Sequence, residues 1–303
     1  MMRHFFLFLS RQKGLRRWME TSPVSQKFTR RFVAGEKLDD ALAVCEKLQR
    51  ERIWATLDHL GENVTSVQEA AQSRDDYLEA LSHIGERSLP ATVSIKLTQF
   101  GLDFSADACL ENVRQLARKA QSVGTHIEID MESSAYTDRT LEIATQVAAE
   151  FPGTRVVLQA YLRRTGADID RMNALGIRVR LCKGAYDEPP SVAFADKREV
   201  DRSYVTLMKT LLDKGTYPAL ATHDELIVGE AFRYARERKM DPENFEFQML
   251  YGIRRDLQQR IVDLGYRLRL YVPYGTAWYP YFMRRLAERP ANVVFLLRNV
   301  LRS

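Results

Sequence analysis

The stretch HIEIDM, residues 126–131, alternates apolar and polar side chains. Successive side chains of a β-strand point to opposite faces, so this rhythm predicts a strand with two unlike faces. The apolar face carries Ile127, Ile129 and Met131. The opposite face carries His126, Glu128 and Asp130. We therefore predict a β-strand here, with its apolar face buried against other elements and its opposite face carrying charged side chains.

Short apolar runs of the same kind recur along the chain on both sides of this stretch. They lie near residues 53–58, 91–97, 155–161, 178–183, 218–223, 245–250 and 268–272. Amphipathic segments such as ADACLENVRQLARKAQSVG and TLEIATQVAAEF separate them. Eight strands alternating with helices are typical of a (β/α)8 barrel. We therefore predict an α/β fold, a distorted (β/α)8 TIM barrel with an N-terminal helical arm.

The outer face of a barrel strand must be apolar to receive the helices, so the polar faces of these strands are predicted to point inward. Most barrel interiors are filled by branched aliphatic side chains, which makes this one unusually charged. Because buried charges must be paired, we expect Glu128 and Glu246 to pair with Arg178 and Arg269 deep in the barrel. Barrel active sites form where the strands end. The polar residues predicted there are Lys96, Asp130, Gln159, Arg180, Lys183, Thr222, His223 and Tyr271.

The stretch YVPYGTAWYPYFMRRLAE, residues 271–288, closes the last predicted strand and enters a short helix near Pro280. A proline is tolerated in a first helical turn because its missing N–H has no intrahelical partner there. Four polar residues share one face of that helix by their spacing: Tyr281, Arg284, Arg285 and Glu288. Two adjacent guanidinium groups suit a small anionic substrate, since arginine binds a carboxylate in bidentate fashion.

The 303 residues are enough for a barrel of about 250 residues and an extension. We assign residues 1–52 to the arm and 53–303 to the barrel. The net charge of +5 is spread along the chain, which argues against nucleic-acid binding. The three cysteines are too scattered for a disulfide framework or a zinc site, and a cytoplasmic setting is expected. The apolar tip Phe5–Leu9 is too short for a signal peptide or a membrane span. We expect it to pack against the main domain, and peripheral contact with the inner face of a membrane is the alternative.

Two lysines lie at predicted strand ends, Lys96 and Lys183. Either could form a Schiff base with a substrate, so a lyase or aldolase is an alternative hypothesis. The five histidines show no metal-ligand spacing, so no metal is predicted. Neither a GxGxxG motif after a strand nor a P-loop is present. A dinucleotide would therefore have to bind at the barrel mouth.

Read together, the strand-end motifs resemble those of proline dehydrogenase, in its bacterial monofunctional form. They are SIKL, IDME, QAYLRR, RLCKGAY, ATHDE, FEFQML and YVPYGTAWYPYFMRRLAE, and the resemblance runs from about Arg31 to the C-terminus. It implies an FAD-dependent flavoprotein of proline catabolism that oxidises L-proline to 1-pyrroline-5-carboxylate and passes electrons to a quinone. It also implies that the last helix lies over the barrel mouth. A separate pyrroline-5-carboxylate dehydrogenase is an implied partner.

The resemblance also implies roles for the residues that match the motifs. Arg284 and Arg285 would bind the proline carboxylate with help from Lys96. Tyr281 would line the substrate ring, and Tyr271 would pack nearby.

Two residues of these motifs are implied to be catalytic. Asp130 would lie close to flavin and substrate and steady Lys96, and Arg180 would reach the flavin near N5. Gln159 would hydrogen-bond the isoalloxazine. The ribityl chain and pyrophosphate would be held by Lys183, Gly184, Ala185, Thr222 and His223. Glu288 would meet the cofactor or an arginine, and Asp224 departs from the asparagine expected after ATH.

Three hypotheses follow: the dehydrogenase, the Schiff-base lyase, and a non-catalytic binding or membrane-associated module. The last rests on the basic charge and the apolar N-terminal tip. Flavin absorbance discriminates the first from the other two, because a lyase or a binding module would purify colourless.

Overall fold

The computed structural model describes residues 31–61, 64–279 and 281. Eight strands alternate with helices along this part of the chain. The strands are β1 (Trp54–His59), β2 (Ala91–Ile95), β3 (Ile127–Ile129), β4 (Arg155–Gln159), β5 (Arg178–Cys182), β6 (Ala219–Ala221), β7 (Glu246–Leu250) and β8 (Arg267–Tyr274). The α-helices are α1 (Leu38–Arg50), α2 (Val67–Glu86), α3 (Ala106–Ser122), α4 (Thr137–Glu150), α5 (Thr165–Ala174), α6 (Lys197–Lys214), α7 (Glu225–Glu237) and α8 (Arg255–Asp263). Single 3₁₀ turns cover Leu97–Phe100, Ser134–Tyr136 and Pro242–Asn244.

Each strand pairs in parallel with the next, and β1 pairs with β8, so the sheet closes into a barrel in sequence order. The predicted (β/α)8 fold is confirmed. Each helix after the first follows a strand and packs its apolar stripe on the barrel's outer face. In α3, for example, Val113, Leu116 and Ala120 are fully or almost fully buried. These three positions recur at helical spacing, as an amphipathic helix requires.

Polar caps begin several of these helices at the mouth of the barrel. The side chain of Asp196 accepts hydrogen bonds from the backbone N–H groups of Arg198 and Glu199 at the start of α6. Asp224 accepts one from Leu226 N at 3.1 Å at the start of α7. Such caps satisfy N–H groups that lack a partner within the helix. They also hold the loops that follow β5 and β6 in place.

Helix α1 packs beside β1 and β8. Its buried residues Ala41, Leu42, Cys45 and Leu48 lie at helical spacing and join the core of the barrel. Residues 1–30 of the predicted arm and residues 282–303, which hold most of the helix expected over the mouth, lie outside the described residues. The arm–barrel boundary at residue 52 stays a prediction.

The inward face of the strands is charged, as the alternation predicts. Arg155 Nη1 donates to Glu246 Oε1 at 2.7 Å and to Glu128 Oε1 at 3.0 Å, and Arg269 Nε donates to Glu246 Oε1 at 2.8 Å. All four residues are buried at 1% exposure or less. We call Glu128, Arg155, Glu246 and Arg269 the deep ion network.

The expectation that Arg178 belongs to this network is wrong, because Arg155 takes its place. Strand register explains the difference: Glu128 is level with Arg155, and Arg178 lies one strand further away, beyond Arg155. Arg180 pairs with Ala219 of β6, which pairs with Glu246, so Arg180 and Glu246 lie at the same height in the barrel. Arg178 precedes Arg180 by two residues and therefore lies one inward-facing position nearer the N-terminal end of the barrel. Its guanidinium group instead lies 5.4 Å from the ring centre of Tyr217.

Candidate active site

The C-terminal ends of four strands bring together four of the predicted site residues. Lys96 and Asp130 directly follow β2 and β3, while Arg180 and Tyr271 lie within β5 and β8. The backbone N–H of Asp130 donates to Ile95 O at 2.8 Å, which continues the β2–β3 pairing up to the site. The positions of these side chains are therefore set by the barrel and not by a flexible loop.

Lys96 lies at the centre of this group. Its Nζ donates to Asp58 Oδ1 at 3.1 Å, to Asp130 Oδ2 at 3.2 Å and to the phenolic oxygen of Tyr271 at 3.3 Å. Its side chain is 12% exposed. Two carboxylates at these distances hold the lysine as a positively charged ammonium group.

Asp130 accepts hydrogen bonds on both carboxylate oxygens. Ser94 Oγ donates to Oδ1 at 2.7 Å, and the Tyr271 hydroxyl donates to Oδ2 at 2.8 Å. Arg180 Nη2 also donates to Oδ1. Burial raises the pKa of this carboxyl, but the charges of Arg180 and Lys96 outweigh it and hold the pKa below its usual value. Asp130 is therefore an anion that orients its donors.

Arg180 connects this group to the deep ion network. Its Nη1 donates to Glu128 Oε2 at 2.9 Å and to Gln248 Oε1 at 3.1 Å, and its Nη2 donates to Ser94 Oγ at 3.1 Å. Burial opposes its charge, but Asp130 and Glu128 more than compensate and raise the pKa of the guanidinium. Its guanidinium lies 5.4 Å from the ring centre of Tyr271. Arg180 is thus fixed on several sides.

Asp58, at the end of β1, belongs to the site but was not among the predicted residues. It is 1% exposed, and its Oδ2 has no hydrogen-bond partner among the described residues. Burial raises the pKa of this carboxyl, and the attraction of Lys96 opposes the change only in part. Strand alternation can identify Asp58 as an inward-facing residue, because it lies two residues after Thr56 on the same face of β1. Thr56 faces inward, where its Oγ1 donates to Glu128 Oε1 at 3.3 Å.

A second polar group forms after β5 and β6. Lys183 Nζ donates to Asp201 Oδ1 at 2.5 Å and to Asp224 Oδ2 at 2.8 Å. Asp224 therefore caps α7 and also neutralises Lys183. Thr222 Oγ1 accepts from Asp224 N at 3.1 Å. This second group lies at the same end of the barrel as Lys96.

His223 contacts the end of the next strand, where its Nε2 accepts a hydrogen bond from the backbone N–H of Leu250 at 2.8 Å. A backbone N–H can only donate, so this nitrogen carries a lone pair and the imidazole is neutral in this arrangement. The contact ties the loop after β6 to β7. Thr222, the residue before it, is 5% exposed.

Gly184 occupies a conformation that favours glycine, with φ of +115°. A Cβ atom there would lie 2.2 Å from Cδ1 of Tyr161. Any other residue would force the loop away from the aromatic ring. Ala185, the next residue, is exposed.

Two further predicted site residues, Gln159 and Tyr281, are buried. Gln159 ends β4, is 2% exposed, and donates from Nε2 to Glu132 O at 2.9 Å. Glu132 in turn accepts from Thr98 Oγ1 at 2.7 Å and Thr98 N at 3.1 Å. Tyr281 is buried, at 7% exposure. Arg284, Arg285 and Glu288 lie outside the described residues, so the predicted carboxylate clamp stays a prediction.

Over residues 31–61, 64–279 and 281, no group of three or more His, Cys, Asp or Glu side chains is arranged to hold a metal ion. In the same part of the chain, no helix combines the length and the apolar character that crossing a bilayer requires.

Comparison with known proteins gives a consistent result. The family model described as proline dehydrogenase matches residues 41–298. Proline dehydrogenase 1 of Bacillus subtilis is 42% identical over 303 residues, covering 100% of both chains. Proline dehydrogenase of Deinococcus radiodurans is 39% identical over 278 residues, or 90% of each.

The solved structures include proline utilization A (PutA) from Bdellovibrio bacteriovorus, inactivated by N-propargylglycine. It matches 86% of this chain at a TM-score of 0.81 and 28% identity, and this chain spans 32% of that longer one. The same barrel thus occurs there within a larger protein. With the family model matching most of its length and a relative aligned from end to end, this chain belongs to the proline dehydrogenase family.

Proposed function

We propose that this chain oxidises L-proline to 1-pyrroline-5-carboxylate with FAD as the hydride acceptor, the first step of proline catabolism to glutamate. The observation that carries the proposal is the buried group of Lys96, Asp130, Arg180 and Tyr271 at the C-terminal end of the barrel. In a member of this family, such a group faces the region where substrate binds in a (β/α)8 barrel.

The residues around Gly184 suit the phosphates of FAD. Within the described chain, the Gly184 N–H has no hydrogen-bond acceptor. Lys183 lies at the same loop, where Asp201 and Asp224 hold its ammonium group in place. Exposed backbone N–H groups and a lysine are what a phosphate requires. The loop Lys183–Ala185 with Thr222 and His223 would therefore hold the pyrophosphate and ribityl chain.

Gln159 and Arg180 would hold the isoalloxazine ring. Gln159 uses its Nε2 on Glu132 O, which leaves its side-chain carbonyl as an acceptor toward a ligand. Arg180 is buried in a fixed position and presents a permanent positive charge. When bound, FAD supplies the acceptor for the hydride from C5 of proline. Glu288 would meet the cofactor or an arginine.

The chain's own residues would bind and orient the substrate. Arg284 and Arg285 would grip its carboxylate, assisted by the ammonium group of Lys96. Asp130 and Asp58 keep Lys96 charged, and Asp130 also orients the hydroxyl of Tyr271. Fixed charges of this kind position a bound molecule without reorganisation during the reaction. Tyr281 would cover the ring of proline.

The Schiff-base lyase is less well supported. Nucleophilic catalysis requires a neutral amine, and a lysine reaches that state near neutral pH when burial or another cation disfavours its charge. Lys96 instead contacts two carboxylates, and so does Lys183. Both lysines therefore lie in ion pairs and not in the apolar or cationic surroundings that activate an amine.

The electron acceptor and partners are part of this proposal. A quinone would reoxidise the enzyme. The protein would act in the cytoplasm, with peripheral contact at the inner face of the membrane that holds the quinone. The product would pass to a separate pyrroline-5-carboxylate dehydrogenase. No nucleic-acid partner is proposed.

A visible spectrum of the purified protein tests the proposal. We expect flavin absorbance that L-proline bleaches when oxygen is absent, and a quinone should restore it. D-proline at the same concentration is the matched control for the substrate. A folded, colourless protein that does not take up added FAD would contradict the cofactor assignment. Borohydride trapping of a lysine adduct would then favour the lyase, and absence of both signals would favour a binding module.

A further inference from the structure

A cavity of about 370 Å³ opens at the N-terminal end of the barrel, opposite the candidate active site. Its walls come from the first residues of several strands, including Trp54 of β1, Arg178 of β5 and Arg267 of β8. His126 and Tyr217 also line it. Neither the proposed proline site nor the proposed FAD site uses these residues.

Positive charge is in excess around this cavity. Arg155 and Arg269 are paired with Glu246 and Glu128 in the deep ion network. Arg267 reaches the exposed Glu243 at 3.7 Å, at the rim. Arg178 forms no ion pair with any described residue, and its Nε is buried without a hydrogen-bond partner there. Burial and then the charge of Arg155 lower the pKa of Arg178, as expected for a cation without a counter-ion.

His126 supplies a second unsatisfied group in the same cavity. Its Nε2 is buried and has no hydrogen-bond partner in the described part of the chain. Burial, followed by the charges of Arg155 and Arg269, lowers the pKa of this imidazole to about 3. The ring is therefore neutral at physiological pH and can donate one N–H. Buried polar groups in native proteins are nearly always hydrogen-bonded, so these two groups require partners in the cavity, either ordered water or a ligand.

Tyr217 makes this cavity rigid. Its φ of +47° is unfavourable for a bulky residue, and it precedes Pro218, which restricts it further. Its hydroxyl accepts from Arg267 Nη1 at 2.6 Å and donates to Glu246 Oε2 at 3.1 Å. The ring lies 5.4 Å from the guanidinium of Arg178 and 5.6 Å from that of Arg267. Such strain persists only where the surroundings enforce it, and it often marks a functional site.

We propose that this cavity binds a small oxyanion of the phosphate class, with Arg178 as its main ligand and His126 as a second donor. Water in the cavity would satisfy the hydrogen bonds but would leave the charge of Arg178 uncompensated. An oxyanion satisfies both. The cavity volume accommodates a tetrahedral ion together with water. This binding site is independent of the proposed oxidation of proline.

Calorimetric titration of inorganic phosphate into the flavin-loaded protein tests the site. Sodium chloride at matched ionic strength is the background, so that general screening cancels. We expect one saturable phosphate site. Arg178→Met should raise the Kd for phosphate at least about tenfold, because a charge-assisted hydrogen bond contributes more free energy than a tenfold change in Kd corresponds to. Arg171→Met is the matched control, since Arg171 is exposed on α5, and it should bind as wild type. A parallel titration with acetate distinguishes phosphate from carboxylate ligands.

Folding of the variants is followed by thermal unfolding in chloride. Arg178→Met removes an unpaired charge, so its midpoint should not fall. His126→Phe gives a second, independent loss of phosphate binding if the first variant misfolds. Trp54 lines the cavity, so its fluorescence should change with phosphate in wild type and not in Trp54→Phe. No saturable heat in wild type, or wild-type affinity in the folded Arg178 and His126 variants, would overturn the proposal.

Discussion

At the mouth of the barrel, Asp58 leaves one carboxylate oxygen without a partner among the described residues, whereas deeper inside Glu246 uses both. Glu246 Oε1 accepts from Arg155 at 2.7 Å and from Gln248 at 2.7 Å, and its Oε2 accepts from Tyr217 at 3.1 Å. Buried charge is costly unless it is paired and hydrogen-bonded. Both carboxylates of the deep ion network are paired with arginines, although its Arg155 Nε is, like Asp58 Oδ2, buried without a partner among the described residues. The deep ion network therefore has the form of a structural element, and Asp58 leaves an acceptor atom at the mouth.

The two regions are also connected. Arg180 contacts Asp130 at the mouth and Glu128 in the deep network. The deep network thus acts as a rigid base for the side chains at the mouth. If this division is right, substitutions in the deep network should mainly lower stability, and substitutions at the mouth should mainly lower activity.

The largest expected effect is on stability. Glu246→Gln should lower the free energy of unfolding by roughly 3–5 kcal/mol, because Arg155 and Arg269 would then share Glu128 with Arg180 and buried positive charge would be left uncompensated. Urea unfolding measures it. Glu243→Gln is the control, since Glu243 is 79% exposed and should change stability by less than about 1 kcal/mol. Equal effects of the two substitutions would show that the deep network is not structural.

The second prediction concerns activity alone. Replacing Arg284 or Arg285 with Met should lower kcat/KM for proline by the equivalent of about 2–5 kcal/mol, because one arm of a charge-assisted clamp is lost. Flavin content and urea unfolding should stay near wild type. Steady-state kinetics with Arg171→Met as the control measures it. Near-normal kcat/KM in both single variants would place the clamp elsewhere.

Glu128 in the deep ion network and Asp58 at the mouth should also differ in the sign of their contribution to the pH dependence of stability. Burial raises the pKa of Glu128, but Arg155, Arg180 and Arg269 lower it overall, from 4.5 to about 2. A carboxyl with a lowered folded-state pKa stabilises the protein above its unfolded pKa, and this contribution, on the order of 3 kcal/mol, is lost as pH falls toward about 2. Asp58 has a raised pKa, so its contribution is present at low pH and is lost as pH rises through the folded-state pKa.

Urea unfolding at a series of pH values measures both contributions. Glu128→Gln should flatten the loss of stability in acid. Asp58→Asn should make stability rise more steeply with pH than in wild type. Parallel curves for wild type and both variants would contradict the assigned directions.

The smallest expected effect concerns substrate choice. Tyr281 is buried next to the segment that holds the predicted clamp, so its ring should leave little room for a 4-hydroxyl group. We expect a preference for L-proline over trans-4-hydroxy-L-proline of roughly 1–3 kcal/mol, which Tyr281→Ser should narrow chiefly by impairing proline. The ratio of kcat/KM for the two substrates measures it. An unchanged ratio would assign Tyr281 to packing alone.

Much of the barrel could be predicted because the signals are local. Strand alternation has a period of two residues and needs no knowledge of neighbours. It therefore correctly placed Glu128, Arg269 and Tyr271 on the inward face. The same rule, applied to β1 and β4, would have identified Asp58 and Arg155. Neither residue lies in the strand-end motifs that resemble those of the family.

The amino-acid sequence by itself determined the order of strands and helices, the charged lining of the barrel and the polar residues at the strand ends. Only the tertiary structure decided that Arg155 and not Arg178 pairs with Glu128, that Asp58 joins Asp130 at Lys96, and that Arg178 faces a cavity. Alternation tells which face a side chain occupies but not its height in the barrel. Height depends on the register between strands far apart in sequence, and register is set when the barrel closes.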